Sequence, residues 1–424
     1  MNTTQQSKAK FIWAKYHCQM LTLLALMAIC FSAIGCGTTP VRIEDQMDRQ
    51  ISFWPQFPAE PRVQFLVSYR YSSDVELKRS KLDDLIYGKD SSVLPINKPY
   101  GIEMWEGKIY ICDIRNPGLV VLDLAKNQTR VLSTSGLGGM AQPTDVAISS
   151  DGTKYVADAV RGVIFVFDAK ERHVQSFGHE GFKPVGIAVH KNELYVSDFG
   201  TQSVLVLDRY DGTQLRTIGG PGGEDGQFVR PLGIDVDDDG IVYVCDVLKC
   251  RLQKFDPEGN LIHAVGTIGD TAGSFVRPKH ISVDESGIVY VADAAFDNIQ
   301  MFNEEGQVLM FFGSGGSHPG AMNLPAGVTT TDNNMKYFEK YIHPAFDAER
   351  IILMTNQFGP NKIGVFALGK LREGMSVNDI ASSSSEVPSG VQSEDESNVL
   401  TNDIPEILKA PDNGDQETQD PSSP

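Results

Sequence analysis

Within the stretch DVDDDGIVYVCDVLKC, Asp235, Asp237 and Asp239 stand at alternate positions ahead of Gly240, and Asp246 is the twelfth residue from Asp235. That is the carboxylate spacing of a helix–loop–helix calcium site. The stretch closes on Cys245 and Cys250, two thiols five residues apart, so disulfide or redox chemistry is written over the same residues. A calcium loop of this kind needs a helix on each side. What flanks these aspartates, PLGI before and IVYVC after, is short, β-branched and apolar, which favours strands. Which chemistry survives depends on the elements that hold these residues, and those elements repeat.

A tetrad of the form Tyr-x-small-Asp occurs five times, as YICD from Tyr110, YVAD from Tyr155, YVSD from Tyr195, YVCD from Tyr243 and YVAD from Tyr290, at a period of 40 to 48 residues. Ahead of each lies an apolar strand opened by proline: PYGIEM, PTDVAI, PVGIAV, PLGIDV and PKHISV. Behind each lie two more, such as VIFVFD or RLQKFD and then LRTIGG or LIHAVG. Four short strands per unit, joined by Gly/Asp turns, mark a propeller blade rather than a helical solenoid. A sixth unit opens with PAGVTT and ends in KIGVFAL, its second strand IILMTN coming late. The units start near residues 99, 143, 184, 231, 278 and 325.

These units resemble the NHL repeat, whose pattern runs Pro-x-Gly-Ile-x-Val-Asp, a glycine turn, Tyr-Val-Ala-Asp and then Arg-Ile-x-x-Phe. The resemblance spans about residues 99–370 and implies an all-β, six-bladed propeller. The sixth unit lacks an outer strand, and RVQFLVSY, residues 62–69, stands unassigned ahead of blade one. This N-terminal strand is expected to close the ring as the outer strand of blade six, which removes a free sheet edge. Residues 62–370 then form the propeller, with a short helix expected over residues 72–88. Residues 36–61 read as a proline-bearing tether and residues 371–424 as an acidic disordered tail.

Placed on blades, the calcium-like aspartates fall at the turn between a first and a second strand, where SSDGT, HKNE and DESGI stand in other blades. The tetrad aspartates Asp113, Asp158, Asp198, Asp246 and Asp293 end a strand, where a carboxylate accepts N–H groups of the following turn. Cys112 and Cys245 fill the small position held elsewhere by Ala157, Ser197 and Ala292, and read as packed residues. Cys245 and Cys250 flank a four-residue connection, which leaves a disulfide geometrically open. Related six-bladed enzymes, lactonases and amidating lyases, hold a metal in the central channel with inner-strand His, Asp, Asn or Glu. The third inner-strand position here reads Gly101, Asp145, Gly186, Gly233, His280 and Gly327, so Asp145 and His280 are the channel ligands on offer. One imidazole and one carboxylate fall short of the three protein ligands of a catalytic zinc site. The other histidines, His343 among them, share no repeat position, and most read as solvated. In blade six, an insertion places Tyr337, Phe338, Tyr341, Ile342 and Phe346 at near-helical spacing. Either they pack back on the propeller or they form an aromatic patch for a partner protein.

A formal net charge of −18 argues against a nucleic-acid binder, and eleven Asp/Glu against one Lys lie from Ser376 onward. No CxxCH occurs, which excludes covalent c-type haem, and no cofactor is expected. At the other end, Lys8, Lys10 and Lys15 precede the uncharged run MLTLLALMAICFSAIG, short for a membrane span and suited to an export signal. AIGC resembles the bacterial lipobox, with Ala33 where leucine is usual. The resemblance implies that residues 1–35 are removed and Cys36 is acylated, several acyl chains giving a stable hold where one gives a marginal one. Gly37 in place of Asp implies the outer membrane, with the protein facing the periplasm. An uncleaved anchor and a soluble secretory signal are the alternatives. The expected function is therefore a lipid-anchored, extracytoplasmic scaffold for a protein partner rather than an enzyme. Its rivals are a metal-dependent lyase or lactonase using Asp145 and His280, and a carbohydrate- or peptide-binding module.

Overall fold

The computed structural model describes residues 52–76, 94–116, 118–134 and 139–383. Cys36, most of the helix expected over 72–88 and the acidic tail from residue 384 onward lie outside the described residues. Six antiparallel sheets form a six-bladed propeller, five of them four-stranded and built from consecutive chain. Blade one runs Pro99–Trp105, Lys108–Asp113, Leu119–Asp123 and Gln128–Leu132 from the axis outward. Blade six breaks the pattern. Its inner three strands are Pro325–Thr331, Phe346–Asn356 and Ile363–Leu371, and its fourth is the N-terminal strand Val63–Tyr69, in register Val63↔Leu368 to Tyr69↔Ile363. The N-terminal strand thus closes the ring, as the unpaired sixth unit requires.

Burial follows strand position. In blade two the second strand, Lys154–Asp158, is buried throughout, whereas the outer strand, His173–Phe177, is at most half-buried. Six apolar clusters result, one between each pair of neighbouring blades. The five tetrad tyrosines belong to five of these clusters, each ring packed against the following blade. A buried phenol needs a hydrogen-bond partner at its polar end. Tyr195 finds Glu193 at 2.7 Å, Tyr290 finds Asp284 at 2.8 Å and Tyr243 finds Asp237 at 3.1 Å.

The tetrad aspartates do more than cap the turn that follows them. Asp198, fully buried, accepts the N–H groups of Gly200 and Thr201 in that turn and also that of Lys183, just ahead of the inner-strand proline. Asp113 takes Asn97 and Lys98, Asp158 takes Ala141 and Gln142, Asp246 takes Val229 and Arg230, and Asp293 takes Val276 and Arg277. Each carboxylate therefore clamps the chain leading into its blade's inner strand to the far end of the second strand. Blade six has Asn356 instead, whose side-chain oxygen accepts the N–H of Asn323.

Two expected boundaries move. Within the presumed tether, Phe53–Trp54 adds a fifth strand to blade six, with Phe53 buried and Trp54 against Phe312 and Phe366. Beyond residue 370, a short helix, Val377–Ser383, places Ile380 in the core between blades six and one. Both segments pack through isolated apolar residues in polar surroundings, which leave no periodic trace. The blade-six insertion forms two 3-10 turns, Met335–Tyr337 and Glu339–Tyr341. Phe338 and Phe346 are fully buried in that same core, and the half-buried Tyr337 and Tyr341 pack against it, so the insertion folds back on the propeller.

Asp198→Ala is expected to strip the partners from three backbone N–H groups and to lower stability by about 3 kcal/mol or more, at 1–3 kcal/mol for each donor left buried. Asp238→Ala, in the exposed blade-four turn, is expected to stay within about 0.5 kcal/mol of the parent. Denaturant melts of the two variants check this; equal effects would show that the clamp does not carry the load.

Candidate functional site

The inner strands determine what faces the axis. Gly186, Gly233 and Gly327 lie so close to the next blade that an added Cβ would stand 2.1 Å from Leu232 O, 2.5 Å from His280 Cα and 2.3 Å from Tyr100 O. Gly101 would meet Asp145 in the same way, at 2.3 Å from its carboxylate. Only blades two and five carry a side chain at this third position. They stand opposite one another in a ring of six, and Asp145 and His280 meet across the axis, Nε2 lying 3.2 and 3.3 Å from the two carboxylate oxygens. The two candidate channel residues are thus brought together as a crossbar.

Both partners are otherwise engaged. Asp145 accepts the N–H of Val146 and, from blade three, that of Ile187, each at 3.0 Å. His280 Nδ1 accepts the N–H of Val328 from blade six at 3.4 Å, which leaves the imidazole proton on Nε2, directed at Asp145. Burial alone would lower the His280 pKa, but the Asp145 carboxylate, with Asp235 and Glu103 behind it, raises it above the ordinary value. Protonation would cost the long bond from Val328, since a charged ring has no acceptor nitrogen.

Two residues of the site were not among the channel candidates read from the sequence. Asp235 does not belong to the blade-four turn. It faces the channel, accepting Val236 N–H at 2.9 Å and Val283 N–H from blade five at 2.8 Å. Opposite, on blade one, Glu103 accepts Met104 N–H at 2.8 Å and the Thr329 hydroxyl from blade six at 3.0 Å. The signal for both lies at the fifth inner-strand position, Glu103, Ala147, Ala188, Asp235, Ser282 and Thr329, which faces the axis as the third does because side chains alternate along a strand. Burial, reinforced by neighbouring carboxylates, pushes Glu103 up to about 7 and Asp235 up to about 6.

Glu103, Asp145, Asp235, His280, Ser282 and Thr329 supply the polar lining of a cavity of about 120 Å³. That holds about four waters and is well below the 300–1,000 Å³ of ordinary ligand pockets. Among the described residues, no group of three or more His, Cys, Asp or Glu side chains is placed to hold a metal ion.

The remaining candidates separate. Asp237 orders its own turn, accepting Asp239 and Ile241 N–H, while Asp246 serves the clamp. The four aspartates spaced like a calcium loop therefore do not converge. Cys245 and Cys250 are buried free thiols, and Cys250 Sγ lies 3.4 Å from the Val276 carbonyl. His343, one of the histidines of which most were expected in solvent, is buried, its Nδ1 accepting Ala345 N–H at 3.1 Å.

No family model matches the chain. Among solved structures it is similar to a streptogramin B lyase (14% identity, 65% of this chain and 95% of that one, TM-score 0.48). It is also similar to a gluconolactonase from Xanthomonas campestris (13%, 74% and 99%, 0.47) and to virginiamycin B lyase from Staphylococcus aureus (13%, 64% and 95%, 0.45). Those activities belong to those proteins, and what this channel can do has to be read from its own residues.

The raised Glu103 value fixes a sign. The folded protein keeps a proton that the unfolded chain releases between about pH 4.5 and 7, so this carboxyl favours folding at acid pH, and the contribution is lost as pH rises through 7. In Glu103→Gln, the amide oxygen retains both hydrogen bonds. The variant is expected to melt above the parent at pH 8 and to lose that advantage towards pH 5. Parallel melting curves across this range would show that Glu103 does not titrate there.

Proposed function

We propose that the protein is a lipid-anchored, extracytoplasmic propeller of the NHL type that serves as a binding scaffold for another protein. The observation that carries this reading is the commitment of the channel's polar groups. His280 and Asp145 bond each other, and each of the three carboxylates also accepts backbone N–H groups that would otherwise be buried without partners. A catalytic base or metal ligand needs an available lone pair facing a space large enough for substrate. Here five of the six carboxylate oxygens already accept a hydrogen bond from the protein, and the space holds only about four waters. A rigid ring with loops over two faces offers, by contrast, a large recognition surface that needs no reactive group.

The lyase or lactonase reading rests on Asp145 and His280 acting together on a metal. It predicts a bound ion in stoichiometric amount after purification without chelators, lost in both Asp145→Ala and His280→Ala. The scaffold reading predicts neither, so a metal content near one per chain overturns it. Anchoring is tested separately. Cys36→Ala is expected to abolish incorporation of radiolabelled fatty acid and to leave the leader uncleaved; undiminished labelling excludes Cys36 as the acylated residue.

A further inference from the structure

The residue just ahead of the inner-strand proline is Lys98 in blade one, Lys183 in blade three, Arg230 in blade four and Arg277 in blade five. The aspartate clamp holds the backbone N–H of each of these four residues, so four cations start from equivalent backbone positions and form a collar around one mouth of the channel. Within the collar lies Lys279, only 8% exposed. Its ammonium donates to Gln357 Oε1 at 2.9 Å and stands 5.6 Å from the centre of the Tyr100 ring.

Elsewhere the partly buried arginines have carboxylate partners, Arg216 with Glu193, Arg251 with Asp225, and Arg350 with Asp284 and Asp332, while the buried Lys154 donates to the Asp168 and Ala169 carbonyls. Among the described residues, none of the five collar cations has a carboxylate partner. Removing an ammonium from water without a counter-charge is costly, and in a chain of net charge −18 acidic partners are not scarce. Burial, with the nearby Arg277 and Lys98 charges adding to it, pushes Lys279 down to about 8.

We infer that this collar is the docking site for a carboxylate-rich segment of the partner protein, with Lys279 at its centre. The inference rests on the scaffold reading and names the partner's chemistry. A peptide fits better than a small anion for two reasons. The cations are spread over four blades, and exposed apolar side chains, Phe358 (51%) and Val276 (40%), stand among them. Lys98 lies over the Phe358 ring and Arg230 over Phe199, two cations each seated on its own aromatic face.

The test is the anisotropy of a fluorescein-labelled octaglutamate peptide titrated with the full chain, at low salt and at about 0.3 M, where charge attraction between exposed groups is largely screened. Binding is expected at low salt, weakened at least tenfold in Lys279→Met and in the double variant Arg230→Gln/Arg277→Gln, both of whose positions are exposed. Without peptide, Lys279→Met is expected to melt above the parent, because it removes an unpaired buried charge from a functional site. A lower melting temperature would assign Lys279 a structural role. No binding at low salt, or unchanged affinity in the double variant, overturns the inference. So does displacement of the peptide by inorganic phosphate or anionic phospholipid vesicles at equal charge concentration, which would mark a general anion or membrane site. Crosslinking in cells separates this from the scaffold reading: a partner recovered equally with the double variant sinks only the collar, and no partner recovered with the parent sinks both.

Discussion

A buried carboxylate at the end of each regular blade's second strand constrains the whole ring. It accepts N–H groups from the chain leading into the inner strand, two consecutive ones in blades one, two, four and five and one in blade three, and, in blades one, two, three and five, at least one more from the turn beyond. Hydrogen bonds to an ionised acceptor are stronger than neutral ones, and here they lie in the interior, where leaving the donors unpaired would be most costly. The result is a fixed starting point for every inner strand at the most crowded radius of the molecule.

From that starting point the pleat does the rest. Because side chains alternate, the third and fifth residues after the clamp face the axis. Four of six third positions have no room for a side chain, and the remaining two, on opposite blades, meet as the Asp145–His280 crossbar. One step further along, Glu103 and Asp235 repeat the opposition between blades one and four. One step before the strand, the clamp fixes the backbone of Lys98, Lys183, Arg230 and Arg277. Basic collar, crossbar and acidic cavity are therefore successive levels of one repeated geometry.

Most of this was legible because the repeat is. The tetrads and proline-led strands gave blade number, strand order and the closing strand, and aligning third positions found Asp145 and His280. Asp235 was hidden because DVDDDG reads as a single turn, although its first aspartate still belongs to the strand. Glu103 was hidden as one polar residue in a column of small ones. The upstream half of the clamp joins residues 15 to 17 apart across a blade, a distance at which no local pattern operates. Phe53 and Ile380 were missed for a different reason: each packs alone, and a single apolar residue in a polar segment has no periodicity to betray it. The aromatic spacing of the blade-six insertion was visible, but whether such rings turn inward or outward is decided by the neighbouring sheet, not by their own sequence.

The closing strand has a consequence for how the molecule is made. Blade six joins residues 63–69 to residues 363–371, nearly the whole folded length apart, whereas the other five blades are each complete within a short segment. During synthesis the first strand therefore waits, with one edge unpaired, until the last strands arrive. Five blades can form behind it in order, each resting on the one before. Only with the final strand does an open arc become a ring, and the pairing that completes it is also the one whose loss would reopen it.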